Sequence, residues 1–154
     1  MGVWMKLQLG IIDLPYANAP RAPGSKATSG AQTTGDVAQW LENKYHIYAS
    51  FWTLHGDEIA KDVERSLEGA LNSMLNGAPM NHDVFGSASS KIRARFSEFL
   101  MKQEMDGLFP GVPTAAALRG VNHRMKHPYK RRAPRPSFID TGLFESSFKA
   151  WMEK

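Results

Sequence analysis

Residues 36–75 read DVAQWLENKYHIYASFWTLHGDEIAKDVERSLEGALNSML, and the spacing of their apolar side chains decides the fold. Val37, Trp40, Leu41, Tyr45, Tyr48, Phe51, Trp52 and Leu54 recur three and four apart, the period of one broad helical face. Ile59, Val63, Leu67, Leu71, Met74 and Leu75 continue the pattern until Asn76-Gly77 and Pro79 stop it. Thr34 or Asp36 is placed to cap the start. Gly56 falls where the run would bend. The spacing therefore predicts either one long bent helix or a pair of helices broken near Gly56.

Working outward, residues 87–105 carry Ile92, Phe96, Phe99, Leu100 and Met105 at helical spacing, with Ser87 or Ser89 as cap and Asp106-Gly107 as stop. Thr114 caps a short helix in TAAALRGVNHRMK, which Pro128 closes. Residues 5–14, MKLQLGIIDL, place Leu7, Leu9 and Ile11 on one face and Lys6, Gln8 and Gly10 on the other, the period of a strand ended by Pro15. At the other end, Asp140-Thr141-Gly142 is a turn, and LFESSFKAWMEK follows as a helical turn, a strand or both. Helices between two terminal strands predict an α+β fold. In it a long amphipathic helix, or helix pair, packs on a small antiparallel sheet formed by the N- and C-terminal strands.

Two segments fit neither period. Residues 17–35, ANAPRAPGSKATSGAQTTG, hold no large apolar side chain and read as a flexible arm that becomes ordered against a partner. Residues 119–136 form a second, proline-rich and basic arm, whose HPYKRRAPRP favours an extended path. At 154 residues the chain is expected to be a single domain spanning 1–154.

Charge is polarised along the chain. No acidic residue lies between Asp106 and Asp140, an interval with seven cations: Arg119, Arg124, Lys126, Lys130, Arg131, Arg132 and Arg135. The remaining 12 cations face 15 carboxylates, so a mildly acidic body carries one basic arm. Contact with the phosphates of genomic DNA and pairing with acidic faces of neighbouring subunits both fit it, and both readings stay open. With 0 cysteines, disulfides, thiolate nucleophiles and Cys-ligated zinc are excluded. No run reaches the ~18 apolar residues of a membrane span, and Lys6, Asp13 and Pro15 break any signal-peptide pattern, so a cytoplasmic place of synthesis is expected.

Candidates for chemistry are thin. His123 and His127 stand i, i+4, but no carboxylate accompanies them and Pro128 disturbs the helix, so no metal is expected. His46, His55 and His82 lack spaced partners and read as surface or interface residues. Asp57, Glu58, Asp62, Glu64 and Glu68 read as helix-surface partners of Lys61 and Arg65. GxSxG, Walker-type and GxGxxG motifs are all missing. No catalytic residue and no cofactor is expected. The aromatic face at Trp40, Tyr45, Tyr48 and Trp52 is wide for one small domain. Core packing is its ordinary use, and part of it is a candidate subunit interface.

The stretch SFIDTGLFESSF, residues 137–148, resembles the hydrophobic-x-TG-x-L/F-x-x-S-hydrophobic segment near the C-terminus of tail-completion and virion-morphogenesis proteins of tailed bacteriophages. Amphipathic helices followed by KRRAPRPSFIDTG and a hydrophobic end match that family's order. The chain departs from a minimal member in its longer 17–35 arm and in the DGLFPGVPTAAALRGVNH insertion. Read physically, Gly142 permits a turn that other residues resist. Asp140 and Thr141 can accept backbone N–H bonds there, and Leu143, Phe144 and Phe148 can anchor the following element. The resemblance implies a non-enzymatic virion subunit at the head–tail junction. It would be a homo-oligomeric, commonly hexameric ring around the DNA channel, with portal or connector and tail-tube or terminator proteins as neighbours and no membrane contact. The alternative from the residues alone is a small basic nucleic-acid-binding protein, although no recognition-helix or RNA-stacking motif surrounds the cations.

Overall fold

The computed structural model describes residues 5–16, 33–79, 83–121 and 132–153. In chain order the elements are β1 (Lys6–Ile11), α1 (Thr34–Tyr45), α2 (Ile47–Leu75), α3 (Gly86–Met101), α4 (Ala115–Arg119), α5 (Leu143–Ser147) and β2 (Phe148–Glu153). The fold is α+β: helices pack on a small antiparallel sheet made by the N- and C-terminal strands.

The long apolar run is two helices, and the break falls at His46 rather than Gly56. His46 takes a left-handed conformation (φ 50°), donating its N–H to the Glu42 carbonyl and ending α1 as it starts α2. Among residues other than glycine, histidine is one of the few that enters this region with some frequency. Gly56 lies within continuous α2, where a Cβ would stand 3.4 Å from the Trp52 ring. Thr33, not Thr34 or Asp36, caps α1. Its hydroxyl accepts the Asp36 N–H while the Asp36 carboxylate accepts the Thr33 N–H. α3 begins at Gly86 without a side-chain cap, so neither Ser87 nor Ser89 serves, and it ends at Met101, before Asp106-Gly107.

The core is aromatic. Phe51 of α2, Phe96 and Phe99 of α3 and Phe148 of β2 are fully buried, and the Phe96 and Phe148 rings stack at 4.0 Å between centroids. Leu7, Leu9 and Ile11 lay the inner face of β1 on this cluster. In register, Lys6 stands opposite Glu153 and Ile11 opposite Phe148. The sheet is thus held by helices on one face only.

The described residues on the two sides of 17–32 meet in one clasp. Thr34, fully buried, donates its hydroxyl to the Ile12 carbonyl (2.7 Å) and accepts the Leu14 N–H (2.8 Å), while its own N–H meets the Leu14 carbonyl (2.9 Å). Asp13 accepts the Gly35 N–H at 2.9 Å. Hydrogen bonds from the Thr33 hydroxyl first, and from Gly35, hold the Asp13 carboxyl below its usual value. The flexible-arm reading of 17–35 thus ends at Thr33, and its first sixteen residues lie outside the described ones.

Candidate functional site

Residues 137–148 form a staple. Gly142 has φ 76°, a left-handed turn that leads into α5, and Phe138 before it also has positive φ (68°). The Thr141 hydroxyl accepts the Leu143 N–H at 3.4 Å. Asp140 takes the Arg135 guanidinium at 3.1 Å, and Arg135 also donates to the carbonyls of Ile139 and Val121. Buried Ser137 accepts the Thr114 N–H at 3.1 Å, tying the stretch to the start of α4. Phe144 and Phe148 then enter the core, the first edge-on to the Phe96 ring and the second stacked on it, while Leu143 stays partly exposed. A mobile-looking sequence is thereby fastened to α1 and α3 before it becomes β2.

The basic segment is pinned at both described ends. The Arg132 N–H meets the Arg119 carbonyl (3.5 Å), and the Arg135 N–H meets the Ala117 carbonyl (3.1 Å). Gly120 makes this approach possible. It has φ 62°, and a Cβ there would lie 2.5 Å from the Ala133 carbonyl oxygen. Of the seven cations, Arg119 and Arg132 are exposed, and Arg135 is a structural residue bound to Asp140. Arg124, Lys126, Lys130 and Arg131 lie outside the described residues, as do His82, His123 and His127. The described residues on the two sides of 122–131 are therefore joined, and one cation that counted toward the basic charge, Arg135, is paired with the turn next to it.

The aromatic face divides in two. Tyr45 is 5 % exposed and packs on Phe138, and Tyr48 lies against Phe96 and Phe148, so both belong to the core and not to an interface. Burial, with Glu42 nearby, pushes the Tyr48 hydroxyl well above its usual pKa. Trp40 (54 % exposed) and Trp52 (50 %) remain outside. Trp40 carries Lys44 at 4.8 Å from its ring and borders a cavity of about 300 Å³ shared with Arg135, Phe138, Thr141 and Gly142.

A second cluster joins α2 to α3: Glu58 is exposed and Arg65 stands 3.9 Å from Asp62, as expected of helix-surface pairs, but Asp62 itself is buried. Asp62 is 4 % exposed and accepts from Arg95 Nη2 (2.9 Å) and Lys91 Nζ (3.3 Å), and Arg95 also pairs with Glu58. Burial alone would raise the Asp62 carboxyl. The hydrogen bonds and charges of Arg95 and Lys91 outweigh it and hold the group below its usual value. His55 bonds Glu104 through Nε2 at 2.8 Å and rests on Phe51 and Phe99. The recoverable signal was the i, i+4 repeat Lys91, Arg95 on α3 facing Glu58 and Asp62 on α2. Among the described residues no group of His, Asp and Glu is arranged to hold a metal, and no helix is long and apolar enough to cross a membrane.

Exposed large apolar side chains are spread over the described surface, and two groups of them adjoin. Leu67, Leu71, Met74 and Leu75 stand exposed along the second half of α2. Met5 and Trp151 are exposed at the sheet, beside a cleft of about 710 Å³ that Leu67 also lines. No family model, curated protein or solved structure matches the chain.

Proposed function

We propose that this chain is a non-enzymatic assembly subunit of the head–tail junction of a tailed bacteriophage, acting in several copies around the DNA channel. The observation that carries the reading is the staple. The TG turn leads into α5 and β2, and so joins the helical body to the terminal strand that pairs with β1. Exposed leucines on α2 support it further, because an apolar stripe of that length on a small domain is the mark of a surface covered in an assembly. In this reading the basic segment contacts genomic DNA or an acidic neighbouring surface. The connector on one side and tail proteins on the other are its partners.

Mass spectrometry of purified virions, with tails attached and detached, tests the placement. The chain is expected in whole particles and in one of the two separated fractions, and its absence from all of them overturns the proposal. Gly142→Val tests the staple. No atom lies within 4 Å of a Cβ at this position, so the cost is backbone strain alone, roughly 1–2 kcal/mol. Heads without joined tails are expected from the variant. Normal particles would refute the role given to the turn.

A further inference from the structure

β2 has a free edge, and its residues are self-complementary across a two-fold axis. The Ile12 N–H donates to the Ser147 carbonyl at 2.9 Å, and the register runs unbroken from there. Antiparallel ladders alternate, so Lys149, Trp151 and Glu153 turn their backbone groups toward β1. Ala150 and Met152 turn theirs to the opposite edge, where no described element bonds them. Residues 149–152 also line the cleft of about 710 Å³ together with Ser89, Ser90 and Arg93 of α3, and Leu67 and Phe85 are among its apolar lining.

We propose that two copies of this chain pair through their β2 edges, antiparallel about a two-fold axis at Trp151. Three registers bring the outward-facing groups together, centred on residue 150, 151 or 152. Only the centre at Trp151 sets Lys149 of each copy opposite Glu153 of the other, and the axis makes that ion pair twice. The same register bonds Ala150 to Met152 across the interface. Lys149 has no ion-pair partner among the described residues, so the second copy supplies the missing one. Arg93 is a second cation lining the same cleft. The Trp151 ring leans over Gly10, 2.9 Å from where a Cβ would be, and so away from the axis, which lets the two backbones approach. The product is a four-stranded sheet, β1-β2-β2-β1, with a second strand laid in each cleft. A two-fold contact closes on itself. It therefore does not propagate a ring, and ring contacts of the proposed junction fall to other surfaces such as the end of α2.

Sedimentation equilibrium of the full chain tests the pairing, with circular dichroism as the check on folding. Wild type is expected as two copies. K149E and E153K each set like charges opposite at both symmetric positions, and each should weaken the pair at least about tenfold. The double variant K149E/E153K restores opposite charges at the same positions and should return to within about threefold of wild type. A chain that is monomeric at about 100 μM, an oligomer indifferent to K149E, or a charge swap that fails to recover pairing would each overturn the proposal. Pairing of β2 with β1 of another copy predicts that last result, because it sets Glu153 against Lys6.

Discussion

The two halves of α2 share one helix and one apolar period, yet they meet different surroundings. From Ile47 to Ile59 the stripe turns Ile47, Phe51 and Ile59 inaccessibly into the core, and only Trp52 and Leu54 of that half stay half-exposed. From Leu67 to Leu75 the same spacing faces outward, and Leu75 is 84 % exposed. Periodicity therefore reports that a face will be covered, and it is silent on whether the cover comes from the same chain. The inner half is tied to stability, and the outer half is the surface that the proposed assembly would cover.

Three substitutions separate those roles. The largest effect belongs to the inner half. Phe51→Ala removes a ring that touches Phe96, Phe99 and Phe148, and should cost about 3–5 kcal/mol in denaturant unfolding. A loss under 1 kcal/mol would erase the distinction between the halves. At the boundary sits Asp62, the last buried residue of α2. Asp62→Ala leaves Arg95 and Lys91 without their shared acceptor and should cost about 2 kcal/mol at neutral pH. The Asp62 pKa is depressed on folding, so its contribution is full above the ordinary value of 3.8 and lost as pH falls below it through the folded value. Acid titration of stability should show a shallower fall below pH 3.8 for the variant than for wild type. The smallest stability effect is expected for Leu71→Gln on the outer half, within about 0.5 kcal/mol in the isolated chain. Incorporation into particles should nevertheless drop. Unchanged incorporation would mean that the outer stripe is not a contact surface.

Much of this architecture was legible in the residues because it depends on period alone. Leu7, Leu9 and Ile11 on one face announced β1, and the Phe96–Phe99–Leu100 spacing announced the buried side of α3. The break at His46 was not legible, because Tyr45 and Tyr48 keep helical spacing across it and a left-handed histidine leaves no mark on the pattern. The partner of Asp140 was hidden for another reason. Arg135 was read with the cations before it, whereas the chain folds back at Gly120 and Arg132, so that it serves the turn after it. Tyr45 and Trp40 illustrate the same limit. They lie five residues apart on α1 with their rings 5.9 Å apart, and only the arrival of Phe138 decides which is covered. Contacts across long separations settle such questions, and composition does not contain them.

Pairing β1 with β2 also has a consequence in time. Residues 6–11 are bonded to 148–153 across almost the whole described chain, so this ladder has the longest contact order in the molecule. On the ribosome β1 emerges first and waits while α1, α2 and α3 are made, with its ladder groups unsatisfied. The helical hairpin of α2 and α3 is positioned to form early from nearer contacts, and the sheet closes last. A pause or truncation in synthesis before residue 148 therefore leaves β1 without its partner strand, so the sheet records whether the chain has been made as far as β2.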